Sequence, residues 1–133
     1  MLRRRRRPTP EPTPVADGGT APPAHLEVID DANFWERTAG RVTVVDFWAP
    51  WCAPCRAFAP IFAAVAAEHD GRVAFGKCNV DASPHTAELL QIRSIPTLVA
   101  FGPDGSELGR VVGVLPRRKL DATISQVASV AAT

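Results

Sequence analysis

No stretch of this 133-residue chain stays apolar for the ~20 residues that a membrane-spanning helix requires. A secretory leader is not expected either. The arginines at 3–7 are followed by PTPEPTPVADGGTAPPA, not by an apolar run of roughly 7–15 residues. The expected compartment is therefore the cytoplasm. Cysteine is scarce, at three residues, and so is histidine, found only at 25, 69 and 85. In a reducing compartment, close-set cysteines are more often catalytic or metal-binding than structural. A closed zinc site needs four ligands, and no histidine pair supplies the second half of one. No internal repeat is present.

Positive charge is also lacking where a nucleic-acid-binding fold would need it. Residues 1–24 hold five arginines against Glu11 and Asp17, a net of +3. The remainder holds 10 basic and 12 acidic residues, a net of −2. Six of the 13 prolines fall within residues 1–23, with almost no large apolar residue among them. Such a segment buries too little surface to offset its ordering entropy. Residues 1–24 are expected to be a disordered Arg/Pro-rich tail, either an inert extension or a tether for anionic surfaces. Residues 25–133 are expected to form one domain, and its charge argues against nucleic acid as a partner.

Within that domain, LEVI (26–29) reads as a strand, and Asp30 and Asp31 offer the cap of a short helix carrying Phe34 and Trp35. VTVVDFWA (42–49) is a near-continuous apolar run, the pattern of a strand covered on both faces. Asp46 interrupts it. A carboxylate there is costly unless it is paired or chemically used. From Cys52 to His69, the residues Phe58, Ile61, Phe62, Val65 and Ala66 make one helical stripe, and Pro60 should kink it. VAFGKCNV (73–80) is a buried strand, and Ser83-Pro84 starts a helix expected to reach Gln91. TLVAF (97–101), a GPDG turn and SELGRVVG (106–113) form a hairpin. From Pro116 a last helix carries Leu120, Ile124, Val127 and Ala131 on one face. The order βαβαβαββα predicts an α/β fold with a mixed sheet and a closing antiparallel hairpin.

The densest chemistry lies in FWAPWCAPCR (47–56). Cys52 follows a strand and opens a helix, where free N–H groups and the positive end of the helix dipole favour a thiolate. Cys55 lies almost one turn deeper and more shielded. Pro54 fits the first turn, where its missing N–H matters little. A zinc half-site and a structural disulfide stay open beside a redox couple at this point.

WCAPC preceded by VDFWA, followed by KCNVD and later by SIPT, resembles the thioredoxin family over roughly residues 26–132. The resemblance implies a thioredoxin-like fold, a central sheet of about five strands flanked by about four helices. It implies that Cys52 is the nucleophile and Cys55 the resolving thiol of a protein-disulfide reductase. Asp46 would then help deprotonate Cys55, with Lys77 beside it, and Pro96 would be a cis-proline packed on the cysteines. Trp51, Ala53, Pro54, Ile95, Gly113 and Val114 would form the rim that substrates touch. Trp48 packs beneath, and Trp35 is a packing residue elsewhere. The family implies no bound cofactor: the sulfurs carry the electrons, supplied by NADPH through a flavoprotein thioredoxin reductase. Disulfide-containing proteins are the implied substrates, and a monomer is expected. The Ala-Pro between the cysteines departs from the family's usual Gly-Pro, for which a small change of redox potential is expected. The histidine found between the cysteines of more oxidising variants is absent, which favours reduction. Cys78 is expected to be a buried small apolar residue. A thiol oxidase or isomerase of the same fold, and a non-catalytic binding module, are the alternative functions.

Overall fold

The strand and helix patterns condense into the order expected of them. In a computed structural model that describes residues 26–131, the elements are β1 (Leu26–Ile29), α1 (Phe34–Thr38), β2 (Thr43–Trp48), α2 (Ala53–Glu68), β3 (Ala74–Asn79), α3 (Pro84–Leu89), β4 (Thr97–Phe101), β5 (Glu107–Val112) and α4 (Arg117–Ala131). The tail 1–24, His25, the side chain of Ala131 and residues 132–133 lie outside the described residues.

The five strands form one sheet in the order β1-β3-β2-β4-β5. β1, β3 and β2 run parallel, while β4 and β5 are antiparallel additions. β2 is buried at all six positions, which explains its unbroken apolar run: both faces are covered. Strand residues alternate between those faces. Val44 packs with Phe58, Phe62 and Val65 of α2 and with Leu120, Ile124 and Ala128 of α4. Val45 and Phe47 pack on the other side with Phe34 of α1 and with Leu90 and Ile92 after α3.

α2 runs unbroken through Pro60, which sits on its exposed side. On α4 the buried face is Leu120, Ile124 and Ala128, with Val127 only partly covered. His69, the C-cap of α2, is buried and ties the two helices together through Nε2 to Asp121 Oδ1 at 2.9 Å. Arg72 donates to its Nδ1 at 3.1 Å, so the neutral Nε2–H tautomer fits this arrangement. Arg117 pairs with Glu68 across the same interface.

Three local expectations are corrected. Asp31 does not cap the short helix that follows it. Its carboxylate instead accepts from His85 N (3.2 Å), Thr86 N (2.7 Å) and Thr86 Oγ1 (2.7 Å), and so caps α3. Those bonds hold its carboxyl below the usual range. Asn33 occupies the α1 cap position, and Asp30 Oδ1 accepts from Ala32 N and Asn33 N, both at 2.9 Å. Ser83 stands at the α3 cap position but makes no capping bond with its side chain. Finally, α3 ends at Leu89, short of Gln91, whose φ of 54° leaves the helical region.

Gly76 in β3 is a packing requirement. A Cβ there would overlap the side chain of Ile29 and press on Glu27 O. Ile29 is itself fully buried and has little room to yield. Gly76→Ala is expected to destabilise the fold by about 1–2 kcal/mol. A urea titration showing an unchanged midpoint would contradict this.

Candidate active site

The site forms where β2 hands over to α2. Beyond Trp48 the chain turns through Ala49 and Pro50, closed by Cys52 N donating to Ala49 O at 3.1 Å. Cys52 becomes the N-cap of α2 in an extended conformation, with Pro54 in the first turn. Its Sγ accepts the backbone N–H of Cys55 at 3.2 Å, so one free N–H of the helix start is aimed at this sulfur. Cys52 and Cys55 form a disulfide, with Cα atoms 5.2 Å apart. Cys52 keeps 5% of its surface exposed and Cys55 1%, so solvent reaches Cys52 first. Trp48, Ala49, Val80 and Ile95 surround the pair.

Ile95–Pro96 is a cis peptide. The Ile95 carbonyl oxygen lies 3.8 Å from Cys52 Sγ. Gly113 N donates to Pro96 O at 2.8 Å, and its φ of 102° suits a residue without a Cβ. Gly113 thereby links the loop after β5 to the loop before β4. Trp51, Ala53, Pro54 and Val114 are exposed, and Ile95 is half-buried. Trp51 and Val114 are large apolar surfaces open to a partner, at 67% and 43% exposure.

Asp46 is completely buried. It shares a strand face with Val44, which packs under Phe58, and with Trp48, which packs against both cysteines. The carboxylate therefore lies beneath the first turns of α2. Neither oxygen has a hydrogen-bond partner among the described residues. Lys77 is opposite it in the sheet register, with Nζ 3.8 Å from Oδ2, too far for a hydrogen bond. The Lys77 ammonium also lies 4.7 Å from the centre of the Trp48 ring. Burial raises the Asp46 carboxyl to about 6, only partly opposed by the Lys77 charge. A buried group that binds a proton near neutral pH can exchange it with a thiol.

Two residues at the rim escaped the sequence reading. Asp81 accepts from Trp51 Nε1 at 2.7 Å and pins the indole beside Cys52. It is the last residue of KCNVD, so its position was visible while its partner, 30 residues away, was not. Arg56 donates through Nη1 to Pro50 O at 2.8 Å, bracing the turn that carries Trp51 and Cys52. Cys78 lies on the opposite face of the sheet among Ile29, Phe34 and Val99. Burial pushes its thiol up to about 11, so it stays protonated near pH 7. Among the described residues, no three of His, Cys, Asp and Glu are grouped to hold a metal.

The thioredoxin family model matches residues 25–126. The chain is similar to the thioredoxin of Staphylococcus saprophyticus, 39% identical over 98 residues that span 74% of this chain and 93% of that one. Against the thioredoxin of Staphylococcus haemolyticus it is 41% identical over 92 residues, or 69% and 88% of the two chains. Among solved structures, the Malassezia sympodialis thioredoxin Mala s 13 superimposes with a TM-score of 0.70 at 35% identity, covering 82% of this chain and 96% of that one.

Proposed function

The chain belongs to the thioredoxin family and is a protein-disulfide reductase, and on that premise we propose which of its groups carry the exchange. Cys52, as thiolate, attacks one sulfur of a substrate disulfide; a mixed disulfide forms and the substrate's other sulfur leaves as a thiolate. Asp46 takes the proton of Cys55. Cys55 then attacks Cys52, the Cys52–Cys55 disulfide closes, and the second substrate sulfur leaves. Two electrons pass to the substrate, and the protein ends in the oxidised form described above.

The observation that carries this reading is the Cys55 N–H aimed at Cys52 Sγ at 3.2 Å, with Cys52 the more exposed of the pair. A negative sulfur at that position gains from the amide and from the helix start. Lys77 tempers the Asp46 charge from 3.8 Å. Trp51, Ala53, Pro54, Ile95, Gly113 and Val114 form the contact surface over the buried Pro96, and the Ile95 backbone is suited to pairing with an extended substrate segment. In this proposal the domain works as a monomer in the cytoplasm. It is recharged by a flavoprotein thioredoxin reductase that draws on NADPH, and it holds no prosthetic group. Residues 1–24 take no part in the exchange and serve either as an inert extension or as a tether for anionic surfaces.

Equilibration with a graded dithiol buffer tests the direction of transfer. The expected Cys52–Cys55 potential lies well below that of the cellular glutathione couple, so that the dithiol delivers electrons. A value well above it would make the protein an oxidant or isomerase and overturn the reductase reading.

A further inference from the structure

Resting on the reductase reading, we propose that Arg56 and Arg93 make this site selective for disulfides flanked by acidic residues. The domain from residue 25 onward carries a net charge of −2, yet the rim of the dithiol departs from that sign. Arg56 follows Cys55 directly and is exposed. One of its N–H groups is committed to the Pro50 carbonyl. A guanidinium has five such donors in a rigid fork, so the group is held against the Pro50 carbonyl, two residues before Cys52, with most of its donors free. Arg93 is exposed two residues before Ile95, whose carbonyl oxygen lies 3.8 Å from Cys52 Sγ. It has no ion-pair partner among the described residues.

Asp81 offsets one of these two charges, its carboxylate accepting from the Trp51 indole, and the three groups together stay positive. Lys77 and Asp46 face each other below the surface. A substrate segment lying over Trp51 and Val114 with its disulfide at Cys52 therefore meets one arginine from α2 and one from the loop before Pro96. Glutamate or aspartate beside that disulfide is attracted to both, and arginine's planar fork suits a carboxylate. Lysine there is repelled. Because the two groups are exposed, the effect acts mainly on encounter and is sensitive to salt.

The test uses pre-reduced full-length protein, freed of reductant, in single-turnover reactions with two peptides. Each has one internal disulfide, and the two differ only in carrying Glu or Lys on both sides of each cysteine. Each rate is divided by the peptide's own rate with dithiothreitol, which removes differences in intrinsic disulfide reactivity. The Glu peptide is expected to react about tenfold faster at low ionic strength, and the ratio to shrink to roughly twofold at high salt. Arg56→Gln with Arg93→Gln brings the ratio close to one, while Arg56→Lys largely keeps it. Equal normalised rates in the unaltered protein would overturn the proposal. So would an Arg56→Gln variant that slows both peptides alike, because Arg56 would then serve only to brace Pro50. If neither peptide is reduced, the reductase reading itself falls, and this proposal with it.

Discussion

Replacing Cys52 with serine is expected to lower disulfide reduction by at least ~1,000-fold, because a hydroxyl can neither ionise near neutral pH nor form a mixed disulfide. The complementary change is more informative. Cys55→Ser leaves the attacking sulfur, its donor amide and the helix start in place, but removes the group that resolves the intermediate. This variant should accumulate a covalent adduct with a disulfide substrate, visible by mass spectrometry and released by dithiothreitol. The two sulfurs are separated by less than a helical turn, and both are more than nine-tenths buried. Their roles therefore rest on the amide and on a small difference in exposure, and the experiment has a sharp reverse outcome. If Cys52→Ser traps substrate on Cys55 while Cys55→Ser does not, nucleophile and resolving thiol are exchanged.

Asp46→Asn is expected to stabilise the protein above pH 7 and to slow it. The Asp46 carboxyl is raised from 3.8 to about 6, first by burial and against the pull of Lys77. A group whose folded pKa exceeds its unfolded one binds its proton more tightly in the native state. Its contribution is fully present below pH 3.8 and is lost as pH rises through about 6, where the native protein must hold a buried charge. The separation corresponds to ~3 kcal/mol. Asparagine avoids the charge but still buries an amide where the carboxylate oxygens have no hydrogen-bond partner among the described residues. The net gain above pH 7 is therefore put at about 1–3 kcal/mol. Urea unfolding of both proteins from pH 4 to 8 isolates this group, since the other ionisable groups are common to both. The two stability curves should diverge from about pH 4 to about pH 6 and run parallel above it, and curves parallel over the whole range would remove Asp46 as the titrating group. The same change should slow decay of the mixed disulfide by roughly 10- to 100-fold at pH 7, as Cys55 loses its proton acceptor. Stability and activity are expected to move in opposite directions, the usual mark of a residue kept for chemistry rather than for folding.

What was legible in the chain was whatever depends on near neighbours. The valine run of β2 and the stripe from Phe58 to Ala66 each report the burial of their own element, and the hairpin around GPDG reports its own turn. Periodicity follows from where side chains point along a helix or strand. Cys52 and Cys55 were equally legible, because the strand before them and the helix after them already set the amide beside the sulfur. Asp46 stood out as a charge in an apolar strand, which is an anomaly of composition alone.

Contacts between distant segments were not legible. Asp30 and Asp31 look equally fit to cap the next helix, and only the packing of β1 against β3 carries Asp31 to Thr86, 55 residues away. Ser83 has the right residue type and position for a cap, yet a carboxylate from elsewhere does that work. The pinning of Trp51 by Asp81 depends on how the loops beyond β2 and β3 meet. The 3.8 Å between Lys77 and Asp46 depends on sheet register. By itself the sequence determined the elements, the dithiol and the buried acid, because each is written in local spacing. Only the tertiary structure decided the partners of these groups, and with them the Asp46 pKa and the charge around Cys52, because both sum over residues that folding alone brings together.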